Sequence, residues 1–252
     1  MPLAGDRTDL PGGFVLHEFD RLDSTNAEAL RRIAAGRASP GDVILADEQE
    51  AGRGRSGRSW VSPAGNLHAT MVLGVPAGRM AGQLAFVAGL AALDALRTLA
   101  PGAAFSLKWP NDVLAGGRKI AGVLIEAGEG AYAVGVGINL AASPPDNAVR
   151  YPATNLRAEA GVTVTPRDAV AALCAALGPW HRRWAAEGFE PLRAAWLASA
   201  HRMGDTIAAS TASGAIEGRF CGLDPEGALI VETAGGDRCL ITAGDVFFPG
   251  DA

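Results

Sequence analysis

Near residue 203 the pattern of the chain changes, and that change limits the folds open to it. Upstream, apolar runs at strand spacing alternate with longer segments at helical spacing. From Asp205 onward only short strand-like runs remain, over 206–209, 215–222, 228–233, 238–241 and 245–248, separated by Ser-Gly, Pro-Glu-Gly, Gly-Gly and Ala-Gly turns. Short strands so spaced predict a small closed β-barrel. The expected division is a larger domain of strands and helices over 1–202 and a barrel domain over 203–252.

Within the larger part, residues 14–19 suit a strand, and Ala27, Leu30, Ile33 and Ala34 then recur at helical spacing. Ser24 or Asp23 is a natural N-cap for that helix and Gly36 a natural stop. Residues 43–46 and 67–75 read as strands. The segment 83–99 places Leu84, Val87, Leu90, Ala91, Leu93 and Leu96 on one broad apolar face, which predicts a helix lying on a sheet. The apolar stretch 104–108 leads into the turn Trp109-Pro110-Asn111-Asp112. Residues 120–126 and 132–138 resemble neighbouring antiparallel strands joined tightly at 128–130. Residues 143–152, Pro-rich and polar, read as a surface loop, and 167–184 and 189–200 as helices.

At 252 residues and 48% hydrophobic content the chain can bury a full core without staples. Its three cysteines, Cys174, Cys221 and Cys239, are widely spaced and lack the CxxC or His spacing of a zinc or redox site. The first fourteen residues carry neither a basic segment nor the apolar run of a secretory leader, and no stretch of about 18 residues is uncharged and apolar. A cytoplasmic protein that does not enter membranes is the expectation. The formal charge of −5 argues against a broad basic face for nucleic acid, so no DNA partner is expected.

The segment Gly52-Arg53-Gly54-Arg55-Ser56-Gly57-Arg58-Ser59-Trp60 packs three arginines and three glycines into nine residues between two expected strands. Glycines let backbone N–H groups approach an anion, guanidinium groups pair with phosphate or carboxylate through two prongs, and a flat indole can stack on a ring. The GxGxxG spacing matches a dinucleotide fingerprint, but Arg58-Ser59-Trp60-Val61-Ser62-Pro63 does not open a helix. An RGG-like arm is the other ordinary reading; such arms are long, repetitive and terminal, and this segment is none of these. With like charges on a glycine backbone, residues 52–59 are expected to be mobile until a ligand orders them.

A second constellation is Lys108-Trp109-Pro110-Asn111-Asp112, followed by Arg118-Lys119-Ile120-Ala121-Gly122. Pro110 fixes a turn that aims Asn111 and Asp112 at a strand end. Lys119 opens an apolar strand, so its ammonium sits at the rim of a buried sheet and needs an anionic partner. Ser24, Thr25 and Asn26 read first as a helix cap, though a helix N-terminus also offers N–H groups to a polar ligand. Asn139 follows Gly135-Val136-Gly137-Ile138, with an amide suited to adenine or to a turn.

Taken in order, DSTN, Gln49 ahead of GRGRSGRSW, KWPND, RKIAG, GVGIN and a small β-rich C-terminus resemble the biotin protein ligases over essentially the whole chain. The resemblance implies an α+β fold: a mixed β-sheet flanked by helices, akin to class II aminoacyl-tRNA synthetases, with a small SH3-like β-barrel at the C-terminus. It implies that biotin and ATP form biotinyl-5′-AMP with the help of Mg²⁺. A lysine of a biotin carboxyl carrier protein of an acyl-CoA carboxylase then takes the biotin. A lipoate or octanoate ligase or transferase, or a silent biotin-binding module, are the alternatives.

Carried over residue by residue, the resemblance assigns the biotin pocket to Ser24, Thr25, Asn26, Gln49, Arg53, Gly54, Arg55, Lys119 and Gly122. It assigns the ATP side to Arg55, Arg58, Trp60, Asn111, Asp112, Lys119 and Asn139, and the electrostatic catalysis to Lys119, Arg55 and Arg53. Asp112 is the candidate for the metal or for orienting a lysine. Some family members carry an N-terminal helix-turn-helix domain and repress transcription; the short stretch before the first expected strand predicts a form without it. Monomers and homodimers both occur in the family, and either is open here.

Overall fold

A computed structural model of the chain describes residues 8–212 and 214–249. The first seven residues, on which part of the leader reading rests, and the outer ends of both expected domains lie outside them. The chain opens with Thr8–Leu10 (β1), antiparallel to Phe14–Leu22 (β2). Thr25–Ala34 (α1) then crosses to Asp42–Gln49 (β3), which runs parallel to β2. Leu67–Leu73 (β4) precedes Leu84–Leu99 (α2), and four strands follow: Phe105–Lys108 (β5), Asp112–Ala115 (β6), Arg118–Ala127 (β7) and Tyr132–Ile138 (β8). The eight strands make one sheet in the order β1-β2-β3-β4-β8-β7-β6-β5, and β2–β3 is its parallel pair. The sheet is mixed, as expected. Leu156–Ala160 (α3), Pro166–Glu187 (α4) and Glu190–Ala198 (α5) complete this part.

Alternation along the strands sorts side chains to two faces. Val43, Leu45, Leu67, Ala69, Met71, Val134, Val136 and Ile138 join the main core with α2 and α4. Ile44, Val72 and Ala133 turn to the other face, where Ala29 and Ile33 of α1 cover them. α1 is short and shields only part of that face. The uncovered remainder holds the site.

α2, counted with the turn leading into it, is long and apolar enough to cross a membrane by length and composition alone. Eleven of its residues are buried, however, and it lies between α4 and the sheet. Its apolarity belongs to the core.

The C-terminal strands are Thr206–Thr211 (β9), Gly214–Leu223 (β10), Leu229–Glu232 (β11), Arg238–Ile241 (β12) and Asp245–Phe247 (β13). They form an antiparallel sheet ordered β12-β11-β10-β9-β13. Among the described residues the ladder does not close between β12 and β13, so the expected closed barrel is the open, SH3-like form. Its apolar face is continuous with the main core, where Phe220 meets Trp196 edge-on at 6.5 Å and Trp109 Nε1 donates to Gly227 O at 3.1 Å.

Candidate active site

On the face that α1 leaves open, β7 and β8 present glycines where other strands carry side chains. A Cβ at Gly135 would collide with the Asn26 carboxamide, and one at Gly137 would stand 2.5 Å from Trp60 Cε2. A Cβ at Gly122 would stand 3.1 Å from Lys119 Cε and 3.3 Å from Trp60 Cζ3. These glycines make a flat floor on which Asn26 and Trp60 lie directly. A cavity of about 420 Å³ lies over this floor, within the range of small-molecule sites.

At one end of the cavity the groups are neutral and tightly hydrogen-bonded. Ser24 occupies the N-cap position of α1 but its hydroxyl makes no capping bond. Gln49, from the end of β3, does that work: Thr25 N donates to its Oε1 at 2.8 Å, and Thr25 Oγ1 lies 3.1 Å from the same atom. Gln49 Nε2 donates to Ser62 Oγ at 2.9 Å, which fixes the amide's orientation. Thr70, from β4, lies 2.6 Å from Asn26 Oδ1 and 2.8 Å from Thr25 Oγ1. Asn26 Nδ2 donates to Glu126 Oε2 at 2.8 Å. His68, two residues before Thr70 on the same face, has Nε2 3.2 Å from Pro63 O, which requires the proton on Nε2. Burial holds its pKa low, so Nδ1, buried and without a partner among the described residues, is an acceptor.

The other end is ionic. Asp112 is buried between two ammonium groups, with Lys119 Nζ 2.6 Å from Oδ1 and Lys108 Nζ 3.2 Å from Oδ2. Burial alone would raise its pKa, but Lys119 and Lys108 outweigh that and hold it down at about 2. Burial pushes Lys108 below its ordinary value, and its ammonium also sits 4.4 Å over the Tyr151 ring. Lys119 lies 5.4 Å over the Trp60 ring, whose buried indole N–H has no partner among the described residues. Asn111 donates to Val123 O at 2.6 Å and accepts from Arg55 Nη1 at 3.1 Å, so its amide holds Arg55 in place. Asn139 donates to Thr154 O at 3.0 Å and lines the cavity.

The Arg/Gly segment is held more firmly than its composition suggests. Arg53 and Ser59 form a bridge, Gly54 N donates to Arg58 O at 2.7 Å, and Trp60 N donates to Gly52 O at 2.9 Å, so residues 52–60 make a tight hairpin. Ser56 takes φ 55° at its tip. Arg55 Nη1 also donates to Gly244 O at 3.3 Å, Arg58 pairs with Asp245 at 3.0 Å, and Arg53 reaches Glu126 at 3.3 Å. The like-charged arginines on which the expected mobility of residues 52–59 rests do have partners: β13 and the turn before it supply them from almost two hundred residues away in sequence.

All the residues singled out in the sequence come together, since Ser24, Thr25, Asn26, Gln49, Arg53, Gly54, Arg55, Arg58, Trp60, Asn111, Asp112, Lys119, Gly122 and Asn139 line one cavity. Two readings change. Residues 143–152 are more than a surface loop, because Pro144, Val149, Arg150 and Tyr151 wall the cavity. Asp112 does not fit a metal: each of its oxygens faces an ammonium group, and no cluster of three His, Cys, Asp or Glu exists among the described residues. Lys108, Thr70, His68, Glu126, Tyr151 and Asp245 were not singled out as site residues. Only Lys108, inside KWPND, carried a local signal.

The sequence model of the biotin/lipoate A/B protein ligase family matches residues 18–142, and that of the biotin protein ligase C terminal domain matches residues 204–248. A biotin–[acetyl-CoA-carboxylase] ligase of Paracoccus denitrificans is 46% identical over 240 residues, covering 91% of this chain and 99% of that protein. A bifunctional ligase/repressor of Bacillus subtilis is 30% identical over 249 residues, covering 95% of this chain and 75% of that one. Among solved structures, a biotin protein ligase from Aquifex aeolicus in complex with biotin and ATP superposes with a TM-score of 0.81 at 27% identity, covering 92% of this chain and 97% of that chain.

Proposed function

The chain belongs to the biotin/lipoate A/B protein ligase family, and from that premise we propose that it activates biotin with ATP and passes it to a lysine of a carrier protein. The observation that carries this is the single cavity joining a neutral, hydrogen-bonding end to a cationic one over a glycine floor. A biotin head group fits the first, with Ser24, Thr25, Asn26 and Gln49 around it. The acid chain then runs over Gly122 toward Lys119, where a carboxylate and a phosphate meet.

In the first step a biotin carboxylate oxygen attacks the α-phosphorus of ATP; a P–O bond forms to give biotinyl-5′-AMP, and the bond to pyrophosphate breaks. Two anions must approach, so the residues' task is to offset charge. Lys119 and Arg55 flank the reacting groups, Arg53 and Arg58 close over them from the hairpin, and Trp60 and Asn139 take the adenine side. Asn111 acts by holding Arg55. Asp112 holds Lys119 and Lys108 in place without neutralising the whole cluster. In the second step the carrier lysine's amine attacks the mixed-anhydride carbonyl, AMP leaves, and a proton is lost to solvent. No enzyme nucleophile is needed, in keeping with Cys174, whose thiol is buried and pushed up to about 12.

Mg²⁺ belongs to the proposal as the ion that accompanies the nucleotide, held by its phosphates rather than by Asp112. The carrier is the biotin carboxyl carrier protein of an acyl-CoA carboxylase, and the compartment is the cytoplasm, where such a carrier and ATP meet. DNA and membranes are outside the proposal; the formal charge of −5 gives no support to either. ATP–pyrophosphate exchange tests the reading: it should require biotin and fail with lipoate, and a carrier domain should gain the mass of one biotin. Exchange with lipoate in place of biotin would overturn it.

A further inference from the structure

We propose that Thr70 and Glu126, neither at the reacting atoms, are positioning residues that set the direction of the hydrogen bonds at the neutral end, so that Thr25 and Gln49 jointly accept an N–H from the ligand. The inference deepens the biotin reading and rests on it.

The argument is a count of protons. Glu126 accepts from Asn26 Nδ2 at 2.8 Å, and a carboxylate can only accept here, so the Asn26 amide is locked with Oδ1 toward Thr70. The Thr25 backbone N–H can only donate, so Gln49 is locked with Oε1 toward Thr25. Three oxygen–oxygen contacts then remain: Thr70 to Asn26 at 2.6 Å, Thr70 to Thr25 at 2.8 Å and Thr25 to Gln49 at 3.1 Å. Two hydroxyl protons serve them. Two oxygens in contact with no proton between them repel, so the two shorter contacts take the protons and the longest goes without. Thr70 donates to Asn26, and Thr25 donates to Thr70.

The lone pairs of Thr25 Oγ1 and of Gln49 Oε1 are thereby left side by side at the cavity, one proton short. A ligand N–H supplies it. A cyclic urea carries such N–H groups and a dithiolane carries none, so this wiring favours the first over the second. Thr70 does not itself line the cavity, and its effect reaches the ligand only through Thr25.

The test compares Thr70→Val, Thr70→Ser and Glu126→Ala with the wild type, each checked for unchanged thermal unfolding. Biotin binding is measured by titration calorimetry, with KM values for biotin and ATP measured separately. Thr70→Val should weaken biotin binding about tenfold or more, the size expected when a buried polar group at a ligand loses its partner. KM for ATP should stay within about twofold, and Thr70→Ser should restore biotin affinity. Glu126→Ala, which frees the Asn26 amide and releases Arg53 as well, should weaken biotin binding in calorimetry and serves if Thr70→Val does not fold. A biotin analogue methylated on the ureido nitrogen should lose affinity for the wild type and much less for Thr70→Val. Unchanged biotin affinity in either Thr70→Val or Glu126→Ala, no restoration by Thr70→Ser, or an equal loss of biotin and ATP in Thr70→Val would overturn the assignment alone. A wild type that binds no biotin would overturn the functional reading and this one with it.

Discussion

The two ends of the cavity solve opposite problems with different residues. At the neutral end, around the start of α1, the hydrogen-bonding groups are uncharged apart from Glu126 and its partner Arg53, and the orientation of the Asn26 and Gln49 amides is forced by their partners. Discrimination there comes from matching donors to acceptors, because an unmatched buried polar group is expensive. At the ionic end Lys108, Lys119, Arg55 and Arg58 stand against Asp112 and Asp245. The surplus is positive, and it is held at fixed points before any anion arrives. Under the proposed function, one end selects by the direction of hydrogen bonds and the other offsets the charge of the reacting anions.

Removing Asp112 tests the ionic end most severely. Asp112→Ala leaves the buried Lys108 ammonium and the half-buried Lys119 ammonium close together without their counter-ion, and loss of about 3–5 kcal/mol of stability is expected, read by urea denaturation. The sign of the pH dependence follows from its folded pKa of about 2 against an ordinary 3.8. The carboxylate's contribution is complete above 3.8 and lost as the pH falls from there toward about 2. That acid limb should flatten in Asp112→Asn.

Lys119→Ala should lower ATP–pyrophosphate exchange about 10²–10³-fold, the usual effect of removing one preorganised charge-stabilising group. Biotin affinity should change by less than about tenfold. Equal losses in the two would show that the ends are not separable. The floor common to both ends is tested by Gly137→Ala, whose Cβ would overlap the Trp60 indole; destabilisation of about 1–3 kcal/mol is expected, with KM rising for both substrates, seen in thermal melts and initial rates. The smallest effect belongs to the rim. Asp245→Asn loses partly exposed pairs with Arg58 and Arg150, and should cost about 0.2–1 kcal/mol, a difference that shrinks in about 1 M salt.

Much of the site was legible because its chemistry is clustered along the chain. The segments 52–60 and 108–112 and Lys119 each carry a dense local signal of charge, glycine and turn residues, and each contributes side chains to the cavity wall, among them Arg53, Arg55, Arg58, Trp60, Asn111 and Asp112. Local strand and helix spacing also placed α1, α2, β7, β8 and the C-terminal strands close to where they lie. The short β1, β6 and α3 were missed, since elements of three to five residues carry too little periodicity to stand out.

What escaped was everything that depends on partners distant in sequence. Thr70 reads as one more strand residue, Glu126 as a strand-end charge, Asp245 as a turn acid and Tyr151 as part of a polar loop. Each acquires its place from a neighbour 40 or more residues away. Local chemistry is written into residue types and short spacings, so a cationic loop and a helix start could be anticipated from the chain alone, and the glycine floor of β7 and β8 could not. Which face each strand turns to that floor is a matter of register. β4 pairs with β8 so that His68 and Thr70 stand opposite Gly137 and Gly135, and a slip of one residue would turn all four to the core. Register is settled by the packing of the whole sheet against α2 and α1. The hydrogen-bond directions at the neutral end, and the balance of charge at the other, came into existence only with that packing.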